Sequence, residues 1–244
     1  MAYIEVSALS HIGKVRDRHE DSLLAGPWTL CATVTESPQT LVFPLGTPLP
    51  VAVADGLGGH PAGEVASALV VRQLAEIGPL LDDGDRVREA LSACNREVYA
   101  AAAHDPALTG MGTTVAGVVV TADLVLAFNV GDSRVYATGP GDVRQLSIDD
   151  RLSADDLAPG IVTQALGGSD ELVAIHPHLT TSPLSADASY LICTDGLTDT
   201  VPTGVLTEVL RQHEGGRAVF ELWKAAIEAG GPDNITIALV RPRT

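Results

Sequence analysis

The stretch VAVADGLGGHPAGEVAS, residues 51–67, decides how the rest of the chain is read. A run of small apolar residues ends on Asp55, after which come Gly56, Gly58, Gly59 and His60. An apolar run bounded by turn residues reads as a strand buried on both faces. Asp55–Gly56 is also the dipeptide of a type I′ hairpin turn, but a hairpin needs a second strand. The next residues are helical instead: Ala62, Val65, Ala66, Leu69, Val70, Leu74 and Ile77 recur on one stripe, and Gly78–Pro79 ends it. A buried strand that finishes on a charge needs a reason.

Outward from this stretch, the spacing predicts a second helix over 85–104, with Val87, Leu91, Cys94, Val98 and Ala101 on its apolar side. Strands are expected over 3–10, 22–34, 113–121, 124–130, 134–138, 190–194 and 235–240, and helices over 203–213 and 217–229. The tight Ala122–Asp123 connection favours antiparallel pairing of its two strands. Residues 35–50 carry Pro38, Pro44, Pro48 and Pro50 and read as a loop or an edge-strand excursion. Strands in blocks with helix pairs between them indicate a layered α+β fold. Nothing resembles an interdomain linker, so one domain is expected over 1–244.

Composition narrows the class. At 244 residues and 45% hydrophobic content the chain can build a large core. No stretch approaches the roughly 20 apolar residues of a membrane span, and the start lacks a signal-peptide layout, so a cytoplasmic protein is expected. Cys31, Cys94 and Cys193 have no metal or disulfide spacing and read as core thiols. A formal charge of −16 argues against nucleic acid or an anionic membrane as partner. An acidic chain collects divalent cations, and to hold a phosphate it must be supplied with positive charge.

Asp55 has counterparts. Asp195–Gly196 comes after the apolar run YLICT, Asp132 lies between two strands in NVGDSR, Asp233 precedes the last strand, and Glu20–Asp21 lie between the first two. Each alone is an ordinary turn residue. Strand ends of a rigid sheet can aim several carboxylates into one cleft, where they cannot all stay ionised unaided. Mg²⁺ and Mn²⁺ prefer oxygen ligands and relieve that repulsion. Glycine beside an aspartate lets the backbone come close enough for a carbonyl to join.

With these residues in place, the chain resembles the metal-dependent protein phosphatases of type 2C (the PPM Ser/Thr phosphatases) in their compact bacterial form. The motifs run in order: Gly13-x-x-Arg16-x-x-His19-Glu20-Asp21-Ser22, Asp55-Gly56-Leu57-Gly58-Gly59-His60 with Gly63-Glu64 and Ala66-Ser67, Gly112-Thr113-Thr114, Gly131-Asp132-Ser133-Arg134, Thr194-Asp195-Gly196-Leu197, and Asp233-Asn234-x-Thr236. The resemblance implies a four-layer α-β-β-α sandwich of two antiparallel sheets flanked by helix pairs. It implies two Mn²⁺ or Mg²⁺ ions bridged by Asp55, with the Gly56 carbonyl, Asp195 and Asp233 as direct ligands. Glu20 and Asp21 would act mainly through waters, and Asp132 with Asp195 would form a weaker third site. Arg16 would grip the substrate phosphate, and His60 is the candidate proton donor to the leaving alkoxide. The implied reaction is hydrolysis of phosphoserine and phosphothreonine by an activated water, with no phosphoenzyme. The implied partners are phosphoprotein substrates of Ser/Thr kinases, met by a monomer.

The match departs from the family in places. His19 stands where asparagine is usual, and the flap at 147–165 is shorter than in most members. A small phosphate-ester hydrolase of the same fold and a non-catalytic phosphoprotein-binding module are the competing readings.

Overall fold

The computed structural model describes residues 2–57, 62–139, 142–152 and 161–243. In chain order the strands and helices are β1 (Tyr3–His11), β2 (Ser22–Ala25), β3 (Trp28–Cys31), β4 (Gln39–Pro44), β5 (Leu49–Ala54), α1 (Gly63–Ile77), α2 (Gly84–His104), β6 (Gly112–Thr113), β7 (Val115–Val120), β8 (Leu124–Val130), β9 (Arg134–Gly139), β10 (Asp142–Gln145), β11 (Leu166–Gly167), β12 (His178–Pro183), β13 (Ser189–Cys193), α3 (Asp195–Thr198), α4 (Thr203–Gln212), α5 (Gly215–Glu228) and β14 (Ile235–Arg243). One six-stranded sheet has the order β10-β9-β13-β14-β1-β4, and the other β12-β8-β7-β5-β2-β3. Neighbours pair antiparallel throughout, including β7 with β8 across the expected tight turn.

Strand alternation explains why the central strands are apolar on both faces. Leu23, Val51 and Val53 point between the sheets, where they meet Ile4, Val6 and Ile192. Their neighbours Leu24, Ala52 and Ala54 point the other way, against Ala66, Val70 and Leu74 of α1 and Leu91 and Cys94 of α2. In the other sheet Leu191, Ile237 and Leu239 pack on Leu206 of α4 and on Val219 and Leu222 of α5. The result is a four-layer α-β-β-α sandwich with three apolar layers. Each fully buried Val or Leu contributes roughly 1.5–3 kcal/mol. That surplus lets a repulsive cluster of acids stand at the rim.

Two details differ from the sequence reading, the 22–34 and 178–183 segments, while 35–50 takes the edge-strand form, one of its two readings. Residues 22–34 form a hairpin rather than one strand, turning at Gly26, whose φ of +57° and N–H bond to the Pro50 carbonyl (2.8 Å) bend the chain. The proline-rich 35–50 segment yields β4, which lies on the edge of its sheet beside β1, where proline is tolerated. Strand β12, HLTTSP, has no alternating apolar pattern to announce it; it caps the edge beyond β8.

β5 ends where β2 begins, β13 ends where β9 begins, and β1 ends opposite the start of β14. The loops that carry the acidic motifs therefore emerge together at one end of the sandwich.

Candidate active site

At that end lies a cleft of about 370 Å³, lined by Arg16, Glu20, Asp55, Gly56, Asp132, Asp195 and Asp233 among others. The acids come from both sheets. Asp55 terminates β5 and Asp132 sits in the β8–β9 turn, while Asp195 opens α3 directly after β13 and Asp233 precedes β14. Arg16, Glu20 and Asp21 ride on the β1–β2 connection. Asp21 is fully buried just behind the cleft.

Backbone bonds fix the key strand end. The Asp55 carbonyl accepts the Thr114 N–H (2.9 Å) and the Thr113 hydroxyl (2.8 Å), and Gly56 pairs with Thr113 as an antiparallel bridge. A Cβ on Gly56 would stand 2.8 Å from the Glu20 carbonyl oxygen and against the Gly63 backbone, so only glycine lets β5, the Glu20 loop and α1 meet. No hairpin partner comes after Asp55: β5 pairs with β2 and β7, and α1 is the next element in the described chain. Asn234 ties the other half, accepting the Glu20 N–H (2.7 Å) and donating to the carbonyls of Ile12 (2.9 Å) and Arg18 (3.0 Å).

The charges oppose one another. Desolvation first, then Asp21, Asp195, Asp233 and Asp132, hold the Asp55 carboxyl well above its ordinary value. Burial pushes Asp21 up to about 7, against the pull of hydroxyl donors from Thr236 and Thr194, the latter at 3.0 Å. Asp132 is likewise pushed up to about 7 by burial and then by Asp195, with Arg151 opposing. Burial and then Asp199 raise Asp195, and burial and then Glu64 raise Glu20. Asp195 as a residue reaches the cleft wall, yet its Oδ1 is sealed from solvent and has no hydrogen-bond partner among the described residues; Asp21 Oδ1 is in the same state. A buried carboxylate oxygen without a donor is a costly arrangement.

An all-oxygen donor set with orphaned lone pairs and mutually raised acids fits a hard divalent cation. Among the described residues no group of three or more His, Cys, Asp or Glu side chains stands close enough together to hold an ion by itself. Mg²⁺ keeps several waters and takes few protein ligands, so it does not need such a group.

The structure brings Arg16, Glu20, Asp55, Gly56, Asp132, Asp195 and Asp233 to one cleft, with Asp21 behind it. The Arg16 guanidinium, 44% exposed, is paired with Asp233 at 2.6 Å. His60 lies outside the described residues, as does 153–160 of the flap. Sequence reasoning missed several contributors. Arg151 stands 3.6 Å from Asp132 and 2.8 Å from Asp199. Asp150 accepts the Gly131 N–H (2.9 Å) and contacts His178 Nε2 (2.8 Å), so it braces the turn that carries Asp132. Arg134, part of a quoted motif, forks onto Asp149 with bonds of 2.6–3.1 Å. The adjacent acids of Asp149-Asp150-Arg151 were the available signal, but their partners are distant in sequence.

The family profile described as protein phosphatase 2C matches residues 43–233. The serine/threonine protein phosphatase PstP of Mycobacterium tuberculosis is 31% identical over 97% of this chain, and the alignment spans 44% of that protein. The chain thus spans less than half the length of these mycobacterial relatives. The serine/threonine phosphatase stp of Listeria monocytogenes is 33% identical over 78% of this chain and 83% of its own. A crystal structure of the catalytic domain of PstP in complex with 2 manganese ions superposes with a TM-score of 0.80 at 28% identity, covering 100% of both chains. With the profile covering most of its length, the chain belongs to the protein phosphatase 2C family.

Proposed function

We propose that residues 1–244 form one catalytic domain that hydrolyses phosphoserine and phosphothreonine in proteins, using two Mn²⁺ or Mg²⁺ ions. The observation that carries this reading is the set of acids from both sheets, of which Asp21, Asp55, Asp132 and Asp195 are held above their ordinary values by burial and then by neighbouring carboxylates, with sealed oxygens on Asp21 and Asp195 that have no hydrogen-bond partner among the described residues. The two manganese ions in the PstP catalytic domain support the same assignment. Asp55, the Gly56 carbonyl, Asp195 and Asp233 would hold the ions directly, with Glu20 and Asp21 supporting them. Bound there, divalent ions supply Lewis-acid charge to the phosphoryl oxygens and lower the pKa of a water.

The residues of the chain do the rest. Arg16 reaches the cleft on a long side chain and presents two parallel N–H donors suited to phosphate oxygens. Its present partner, Asp233, is a carboxylate that would hold a cation, and with that charge neutralised the Arg16 guanidinium would be available to substrate. His60 is the proposed donor of a proton to the leaving alkoxide. Cys94 and Cys193 are poor nucleophiles, their thiols buried and pushed up to about 12. The substrates are phosphoproteins made by Ser/Thr kinases, and the enzyme acts as a cytoplasmic monomer. Among the described residues no helix is long and apolar enough to cross a membrane.

Hydrolysis of p-nitrophenyl phosphate and of a phosphothreonine peptide, with EDTA, Mg²⁺ or Mn²⁺, tests this on wild type and Asp195→Ala. Metal-dependent peptide turnover that the substitution abolishes is expected. Turnover of the small ester alone would move the activity to small phosphate esters. No turnover from folded protein with any metal would leave a phosphoprotein-binding module.

A further inference from the structure

The Asp132 corner of the cleft already contains a cation. Arg151 Nη1 stands 3.6 Å from Asp132 Oδ2 and 2.8 Å from Asp199 Oδ1, while its Nη2 lies 3.3 Å from Asp199 Oδ2. Its side chain is only 21% exposed. Asp132 is almost fully buried, and the third acid acting on this guanidinium is Asp195. A buried carboxylate demands a counter-charge, and here the chain supplies it.

The backbone holds Arg151 in place. Leu152 donates to the Ile161 carbonyl (2.9 Å), Thr163 donates to the Asp150 carbonyl (2.8 Å), and Arg151 pairs with Val162 as an antiparallel bridge. This two-stranded neck carries the flap. It is pinned to the Asp132 turn through Asp150, whose Oδ2 accepts both the Gly131 N–H (2.9 Å) and the Gln164 amide (2.8 Å). Arg151 and Asp132 therefore belong to one braced frame, and their approach does not depend on two independent surface loops. A guanidinium cannot lose its proton under ordinary conditions and is weakly hydrated, which suits it to a permanent post beside a buried acid.

We propose that Arg151 occupies the Asp132 corner as a built-in cation, so that a third divalent ion enters there only by displacing it. The two ions proposed at Asp55 share Asp195 with this position, but their other ligands, Asp55 and Asp233, take no part in the exchange. Asp195 Oδ1, sealed and without a hydrogen-bond partner among the described residues, is the oxygen that an entering ion would gain. The shortened flap then has a defined electrostatic role: its neck sets how readily the third position fills. This inference builds on the metal-dependent reading above.

The test is Mn²⁺ binding to the whole chain, by calorimetry and by loss of the free-Mn²⁺ EPR signal, for wild type, Arg151→Gln, Arg151→Ala and Arg151→Lys. Wild type is expected to bind two ions tightly and a third weakly. In Arg151→Gln and Arg151→Ala the third ion should bind at least tenfold more tightly, with the first two unchanged; those two also report that the site has folded. Arg151→Lys, which keeps the charge, should stay near wild type. Third-ion affinity equal within twofold in wild type, Arg151→Gln and Arg151→Ala would overturn the proposal while leaving the phosphatase reading intact. Failure of wild type to bind any Mn²⁺ would overturn both.

Discussion

Removing divalent ions and raising the pH should destabilise this protein in a way that can be calculated. Asp21 is fully buried and its carboxyl is pushed from an ordinary 3.8 up to about 7. A carboxyl raised in the folded state contributes stability that is complete below the unfolded value and disappears as pH rises through the folded one. Full passage from 3.8 to about 7 carries about 4 kcal/mol. Most of that falls at working pH: between pH 5 and pH 8 Asp21 alone should remove about 2–3 kcal/mol. Asp132, also pushed to about 7, moves in the same direction. The assay is urea denaturation of EDTA-treated protein measured by circular dichroism, urea being preferred because it does not screen charge. Asp21→Asn keeps an acceptor for the Thr194 hydroxyl and removes the titration, so its slope against pH should flatten by the Asp21 share. Saturating Mg²⁺ or Mn²⁺ should reverse the trend, because cations compete with protons for the same oxygens. Stability of the metal-free wild type that is level or rising between pH 5 and pH 8, or an unchanged slope in Asp21→Asn, would refute the electrostatic account of the site.

Other consequences can be checked separately. Thr194→Val deletes the hydroxyl that donates to Asp21 and accepts the Thr236 N–H, both at 3.0 Å, so it should cost about 1–3 kcal/mol, with the larger loss at pH 8 where Asp21 is charged. Gly196→Ala drives its new methyl into the Asn234 carbonyl oxygen and should cost about 3 kcal/mol in urea melts, whereas Gly204→Ala in α4, where nothing lies within 4 Å, should be neutral or stabilising by about 0.5–1 kcal/mol. Arg16→Lys keeps the charge but loses the fork, and phosphopeptide kinetics should show KM raised roughly tenfold while Mn²⁺ affinity is retained.

The elements most visible in the sequence are those whose burial pattern is local. Val51–Ala54 reads as a two-sided strand because each of its faces enters an apolar layer, and α1 and α2 show their inward stripes at helical spacing. The acids at strand ends are legible for the same reason: an aspartate directly after a buried strand is an anomaly within a few residues. The hidden features depend on partners far along the chain. β12 is a polar edge strand whose only cue is its pairing with β8, from His178↔Asn129 to Pro183↔Leu124. Arg151 looks like an ordinary charged loop residue until Asp199, 48 positions away, closes on it. Residues 22–34 read as one long strand because Gly26–Pro27 turns the chain between two apolar runs that look continuous.

The pairing of β1 with β14, from Tyr3↔Arg243 to His11↔Ile235, has a consequence for how this domain is made. β14, the last of the described strands in chain order, inserts into the interior of its sheet, between β13 and β1, and it brings Asp233 and Asn234 with it. Until then β1 and β13 lack their shared neighbour, and the Glu20 loop lacks the amide that anchors it. Long-range closure of this kind is slow and comes late in folding. A nascent chain that stops short of β14 therefore carries most of the acids but not their arrangement, and the assembled cleft becomes a mark that synthesis has passed β14.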